Sequence, residues 1–376
     1  MNLLGVTMKN LLINTYIAWI LTTSASLCFA LEGAIPTGIP ELNHVFVIVL
    51  ENHSYSDIRS NASAPFINSM ADTGNIATNY FAVSHPSLPN YLEIVGGSDF
   101  NVLSDDSPDW HNTGCTSFTD TGTVCPLYGT GTENSTATSG ISGKNITQQL
   151  EAKKLSWKNY QQSLPLTGAD GVNYSDGFYS NLTDFSNIMP DVTPPLTNDD
   201  MLGYIARRYA VKHNPFAYFR HGQNADSLPH TKGFEGNYGL YADLRSGNVA
   251  SFSFIVPDQC NDQHGTSGES FCSYAPALVE RGDQTVKRIV TAIKKSSVWN
   301  SGKNAIILVW DEDDYSESNQ VLAIVNTNYI PKPYASNKYY NHFSLLKTLE
   351  SAFGLPCLNH ACDNDVKVMR DMFNSP

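Results

Sequence analysis

Four short runs, HVFVIVL (44–50), VASFSFIV (249–256), NAIILVW (304–310) and VLAIVN (321–326), are apolar or β-branched without alternation. A strand with one wet face alternates apolar and polar residues. A run without that period suits a strand buried on both faces, the habit of parallel sheets covered by helices. Between the runs lie segments with helical spacing of apolar residues: APFINSMADTG (64–74), NITQQLEAKKL (145–155), NDDMLGYIARRYA (198–210) and APALVERGDQTVKRIVTAIKKS (275–296). Strand and helix in alternation predict an α/β fold, a single-domain layered sandwich with a mostly parallel central sheet flanked by helices. The 376 residues, 41% of them hydrophobic, supply the core, and no repeat or linker divides the chain.

Three of the runs stop in polar clusters: Glu51-Asn52-His53 after the first, PDQCNDQHG (257–265) after the second and DEDD (311–314) after the third. In an open α/β sheet, ligands bind in the crevice at the carboxyl ends of the strands. Acidic clusters meeting there repel one another unless cations sit among them. Carboxylates with an amide and a histidine suit a divalent cation, and spacing alone does not choose among zinc, manganese, magnesium and calcium. A plainer reading stays open beside this one. DEDD alone reads as a solvated acidic loop, and Asp258, Asp262 and His264 read equally well as turn residues and a surface histidine.

The stretch SHPSLPNYL (84–92) places Ser87 ahead of Pro89 and the apolar YLEIV, so Ser87 is expected to cap a helix N-terminus. The same geometry sets a hydroxyl beside backbone N–H groups able to hold a phosphate. A neighbouring metal would lower the hydroxyl's pKa and make it a nucleophile. His85 and Asn90 flank it with further donors.

Lys9 is the only charged residue before Glu32, and the apolar segment around residues 16–30 ends in SLCFA. This reads as a signal peptide over residues 1–30 cleaved near Ala30, leaving a catalytic domain over 31–376, no stable membrane span and a secreted or periplasmic location. Cleavage also removes Cys28. The other six cysteines fall into three sequence-local pairs, Cys115 with Cys125, Cys260 with Cys272 and Cys357 with Cys362, as disulfides in an oxidising compartment would. The first pair lies in a Ser-, Thr-, Gly- and Asp-rich stretch over 100–143, read as a clipped insertion or lid, or as plain surface loop. The net charge of −13 argues against nucleic acid or anionic lipid surfaces as the main target.

Taken in order, VIVLENHSYSDI, SHPSLPNYLEIVGG, PDQCNDQHG, WDEDD and YNHFSLLKTLE resemble the phosphoesterase family of secreted acid phosphatases and phospholipases C, within the alkaline-phosphatase-like superfamily. The likeness extends from about residue 43 to 355. It implies Ser87 as nucleophile and Glu51, Asn52, Asp311 and Glu312 as metal ligands. Asp258 and His264 resemble the block that supplies a second metal in some relatives, and Asp258 and Asp262 of that loop join the ligand set, so one divalent ion is expected and two are allowed. Asn90 is implied in holding phosphate, His342 in holding phosphate or a second metal, and His221 in holding phosphate or protonating the leaving group, with a purely structural role equally open for it; His85 or His264 is implied in protonating the leaving group. The expected function is a metal-dependent acid phosphatase acting on phosphomonoesters through a phosphoserine. A phospholipase C cutting phosphatidylcholine-like lipids is the runner-up, with the Tyr-rich stretch 163–182 as its apolar entry, and a non-catalytic binding protein on the same fold is the third reading. Tyr91 stands where the sulfatase motif requires Arg, which disfavours sulfatase activity.

Overall fold

The computed structural model describes residues 32–105, 140–164, 209–222, 226–265, 272, 275–330 and 332–374. The expected signal segment, Cys115 and Cys125, most of the stretch over 100–143 read as an insertion or lid, the helix expected over 198–210 as far as residue 208, and the Tyr-rich stretch from residue 165 lie outside the described residues.

Ten strands are described: β1 His44–Leu50, β2 Asn75–Ala77, β3 Tyr80–Phe81, β4 Trp157–Gln161, β5 Thr231–Lys232, β6 Phe252–Val256, β7 Asn304–Trp310, β8 Ala323–Thr327, β9 Tyr334–Ser336 and β10 Tyr340–Asn341. Eight form one sheet in the order β5-β4-β6-β1-β7-β8-β2-β9, and β3 pairs with β10 apart from it. Every pair in the large sheet is parallel except the two made by β8. All of β6 and β7, and β1 after His44, are buried, so both faces of the sheet's centre are covered, as the non-alternating runs predict.

The helices are α1 Tyr55–Ile58, α2 Pro65–Thr73, α3 Ser87–Gly96, α4 Ile146–Ala152, α5 Leu240–Ser246, α6 Ala275–Lys295, α7 His342–Phe353 and α8 Arg370–Phe373. Pro65 opens α2 with a fixed φ and no N–H to satisfy. Asn145 and Gln148 form a reciprocal capping box on α4. Val279, Val286, Ile289, Val290 and Ile293 bury one face of α6, whose last turn carries Lys294 and Lys295 at the negative end of the helix dipole. Helix α2 packs on α6, and α3 on α7. Gly97 ends α3 at φ +72°, and a Cβ there would meet the Leu358 carbonyl oxygen at 2.5 Å, so both backbone and space require glycine.

Two of the local disulfide pairings are present, Cys260–Cys272 and Cys357–Cys362. No helix among the described residues is long and apolar enough to cross a membrane.

Candidate active site

Strand β1 lies between β6 and β7 and is parallel to both, so the three chain segments leave the sheet at the same edge. Backbone bonds stitch these exits together. Glu51 N donates to the Asp262 carbonyl at 2.9 Å, and Asp311 N donates to that of Leu50 at 3.0 Å. Asn52 N donates to Asp311 Oδ1 at 3.1 Å. Glu51, Asp262, Asp311 and Glu312 are all buried in consequence. Four carboxylates at one sheet edge follow from where three apolar runs stop.

Helix α3 brings Ser87 to this edge. Its N-cap is Pro86, with no side-chain cap, which corrects the expectation that the Ser87 hydroxyl would cap the helix. The hydroxyl turns away from its own backbone, with Oγ 2.9 Å from Glu51 Oε2 and 3.1 Å from Glu312 Oε1. The loop before α3 is folded back by Asn90, whose Oδ1 accepts from Val83 N and Ser84 N and whose Nδ2 donates to the carbonyls of Ser84 and Pro86. Asn90 is thus fully engaged in shaping the loop that presents Ser87. The peptide between His85 and Pro86 is cis. His85 Nδ1 sits 2.7 Å from Glu312 Oε2, with Nε2 3.3 Å from Asp313 Oδ1.

The chain supplies its own cations from Lys212 and His213, on a short 3₁₀ turn over Val211–His213. His213 stands between two carboxylates, 3.3 Å from Glu51 Oε2 and 3.2 Å from Asp262 Oδ2, with the Tyr91 ring stacked on it. Burial disfavours its charge, but Glu51 and Asp262 outweigh that and raise its pKa to about 9. Burial likewise opposes ionisation of Glu51, yet His213, Lys212 and His264 hold it below its ordinary value. Lys212 Nζ lies 2.8 Å from Asp105 Oδ2 and 3.3 Å from His264 Nε2. Burial and then Lys212 push His264 down to about 4.

These cations do not balance the anions. Burial, followed by repulsion from Glu51, raises Asp311 well above the carboxylate range and Glu312 to about 8. Burial also raises Asp262 to about 7, against the pull of His213. Among the buried acceptors here, Glu51 Oε1, Asn52 Oδ1 and Asp311 Oδ2 have no hydrogen-bond partner. Orphaned oxygens amid surplus negative charge are the donor set a hard divalent cation takes, so Glu51, Asn52, Asp311 and Glu312 fit one. Among the described residues, no three His, Cys, Asp or Glu side chains already close around a common point.

Other expected site residues sit elsewhere. Asp258 ties a turn, accepting from Cys260 N, Asn261 N and Ser163 Oγ. His221 is drawn to Glu151 Oε2 at 2.9 Å and lies beside Ser227 Oγ. His342 is a brace behind the site. Its Nε2 meets the Asp311 carbonyl at 2.6 Å, which only accepts, so Nε2 carries the proton and Nδ1 accepts from the Tyr80 hydroxyl. Asp262 and His264 do join the cluster, as do Lys212, His213 and Asp105, which sequence reasoning missed.

The model of the Phosphoesterase family matches residues 57–356, most of the chain. The chain belongs to the Phosphoesterase family. With that membership it is a phosphoric ester hydrolase. A phosphatidylinositol-3-phosphatase of Mycobacterium tuberculosis is 26% identical over 349 residues, 90% of this chain and 88% of that protein. An acid phosphatase of Aspergillus fumigatus is 25% identical over 84% of this chain, which spans only 56% of that relative's length. Among solved structures, a Vibrio parahaemolyticus protein of the alkaline phosphatase superfamily superposes with a TM-score of 0.43 at 12% identity, covering 86% of this chain and 69% of that one. The Phosphoesterase match takes in Ser87, Lys212, His213, Asp262, Asp311 and Glu312, while Glu51 and Asn52 fall just before it.

Proposed function

We infer that this chain is a secreted, metal-dependent acid phosphatase that hydrolyses phosphomonoesters through Ser87. The observation that carries this is the Ser87 hydroxyl, buried at the carboxyl edge of the sheet between Glu51 and Glu312 and beside orphaned metal-type oxygens. Glu51, Asn52, Asp311 and Glu312 would hold a divalent cation, and that cation would supply Lewis-acid charge to the reacting phosphoryl group.

The chain's own groups do the rest. Ser87 Oγ forms a bond to phosphorus as the ester P–O bond breaks, its proton passing to one of the two carboxylates it contacts, Glu51 or Glu312, and the product is a phosphoserine plus the leaving alcohol. Water then cleaves the phosphoserine, releasing inorganic phosphate and restoring the hydroxyl. Lys212 and the amino end of α3 add positive charge where the loose transition state spreads negative charge.

Of the two histidines expected to protonate the leaving oxygen, geometry favours His85. His264 donates Nδ1–H to the Gly265 carbonyl and turns its other nitrogen to the Lys212 ammonium, so it has no proton to offer. The His85 side chain is 22% exposed and held by Glu312 and Asp313 at the solvent side.

The names of the relatives, an acid phosphatase and a phosphatase of phosphatidylinositol 3-phosphate, support a monoester over a choline diester. The two disulfides support an oxidising compartment. The test compares p-nitrophenyl phosphate with p-nitrophenyl phosphorylcholine from about pH 4 to about pH 9, with and without chelator. Preferred turnover of the monoester with an optimum below neutral supports the reading, preference for the diester makes the chain a phospholipase C, and silence on both with metal supplied leaves the binding protein.

A further inference from the structure

We propose that Tyr315 is a stacking platform for the leaving group, making the enzyme selective for phosphomonoesters whose alcohol carries a flat, uncharged ring, aryl or nucleobase. The proposal deepens the phosphatase reading and rests on Ser87 being the phosphoryl acceptor.

Four observations carry it. Tyr315 is 73% exposed, yet its ring lies nearly parallel to the His85 imidazole, with centroids 4.0 Å apart and planes at 18°. One ring face is therefore covered by the histidine proposed to protonate the leaving oxygen, and the other is open. Its backbone is held at φ +67°, a conformation bulky L-residues rarely adopt and one that clusters at functional sites.

The surrounding loop is built to hold it there. Asp313 Oδ1 accepts from Tyr315 N at 2.9 Å, while Oδ2 accepts from Glu317 N and Asn319 N. Asn319 Oδ1 accepts in turn from Asp313 N, and its Nδ2 donates to the Ser84 carbonyl, next to His85. The platform and the loop that presents Ser87 thus form one hydrogen-bonded unit.

Position relative to the chemistry completes the case. Glu312 touches Ser87 with one oxygen and His85 with the other, and Tyr315 covers His85. Ser87, Glu51 and Asp311 are buried, whereas His85 and Tyr315 face solvent, so an alcohol bonded to phosphorus at Ser87 emerges past these two rings. Glu312 and Asp313, both paired with His85, put negative charge at the same rim, which disfavours anionic leaving groups. An open aromatic face beside a carboxylate rim recognises a neutral planar ring by offset stacking.

The experiment measures binding, by calorimetric titration of the full chain supplied with a divalent metal, for two non-hydrolysable monoester analogues, phenylphosphonate and methylphosphonate. The wild-type chain should prefer phenylphosphonate by roughly three- to ten-fold. Tyr315→Ala should bring that ratio near one, and Tyr315→Phe should keep it. An unchanged ratio in Tyr315→Ala, or equal weakening of both ligands, overturns the proposal, because a residue that only steadies His85 moves both alike. Failure of either phosphonate to bind the wild-type chain overturns it as well. The phosphatase reading stands or falls separately, on turnover of p-nitrophenyl phosphate by the wild-type chain, which the binding ratio does not require.

Discussion

The Ser87 hydroxyl lies 3.1 Å from Glu312 Oε1, a carboxylate 225 residues further along the chain. A buried serine pinned between carboxylates makes a poor structural choice, since a hydroxyl has one proton to give and two acidic neighbours here. Ser87→Ala is expected to lower kcat on p-nitrophenyl phosphate by on the order of a thousand-fold or more, with folding retained. Full activity in that variant, checked by initial rates beside a thermal melt, would remove Ser87 as nucleophile.

Metal removal should be visible without any substrate. The orphaned oxygens of Glu51, Asn52 and Asp311 are unsatisfied in the folded chain and solvated in the unfolded one, so a cation binding only the folded state stabilises it by mass action. At a hundred-fold excess over its Kd that is about 2.7 kcal/mol. Chelator should therefore lower both Tm and turnover, and added divalent metal should restore both. If calorimetry shows the same Tm with and without chelator, the cation site is wrongly assigned.

Much of the fold was readable because its centre is decided by burial. The bounds of β1 and β7 coincide with the apolar runs residue for residue, since a strand wet on neither face needs an unbroken run. The site was readable where an acid follows such a run, as at Glu51 and Asp311. It was not where tertiary contact decides. Asp258 and Asp262 share one loop, yet the turn spends the first on local backbone and aims the second at His213. Ser87 carried every sign of an N-cap, and two carboxylates distant in sequence claimed its hydroxyl. Lys212 and His213 come just after the segment expected to be helical over 198–210, and nothing in KHNPF announces that its 3₁₀ turn faces the sheet edge.

Glu93, on the helix that begins with Ser87, gives a pH-dependent prediction. Burial, with Asp99 nearby, raises its pKa from 4.5 to about 9, and its Oε2 has no hydrogen-bond partner. The folded pKa exceeds the unfolded one, so its contribution is complete below pH 4.5 and is lost as pH rises through about 9. Each intervening unit costs about 1.4 kcal/mol. Glu93→Gln should leave Tm unchanged near the acid end and raise it by several degrees at about pH 8. Parallel Tm-versus-pH curves for the two proteins would mean Glu93 titrates normally.

Cys260 and Cys272 bracket the loop that carries Asp262 and His264. Replacing both with alanine should cost about 3 kcal/mol, the expectation for a loop of this length, and should lower kcat by loosening Asp262 beneath His213. Denaturant melts and kinetics on the double variant test the two effects separately, and a stable variant with unchanged kcat would show that the loop is held by other contacts.

The order of strands has a consequence for when activity can arise during synthesis. Strand β1 is made early but pairs with β6 and β7, whose partners lie roughly two hundred and two hundred and sixty residues later. Such distant parallel pairing is slow to form and waits for nearly the whole chain. Until β7 is in place, Glu51 and Ser87 face no Asp311 or Glu312, and a nascent or half-folded chain lacks the charges to which the proposed mechanism assigns activation of the hydroxyl. Turnover is therefore itself a measure of completed folding, and a refolding time course followed by enzyme activity should trail one followed by helix content.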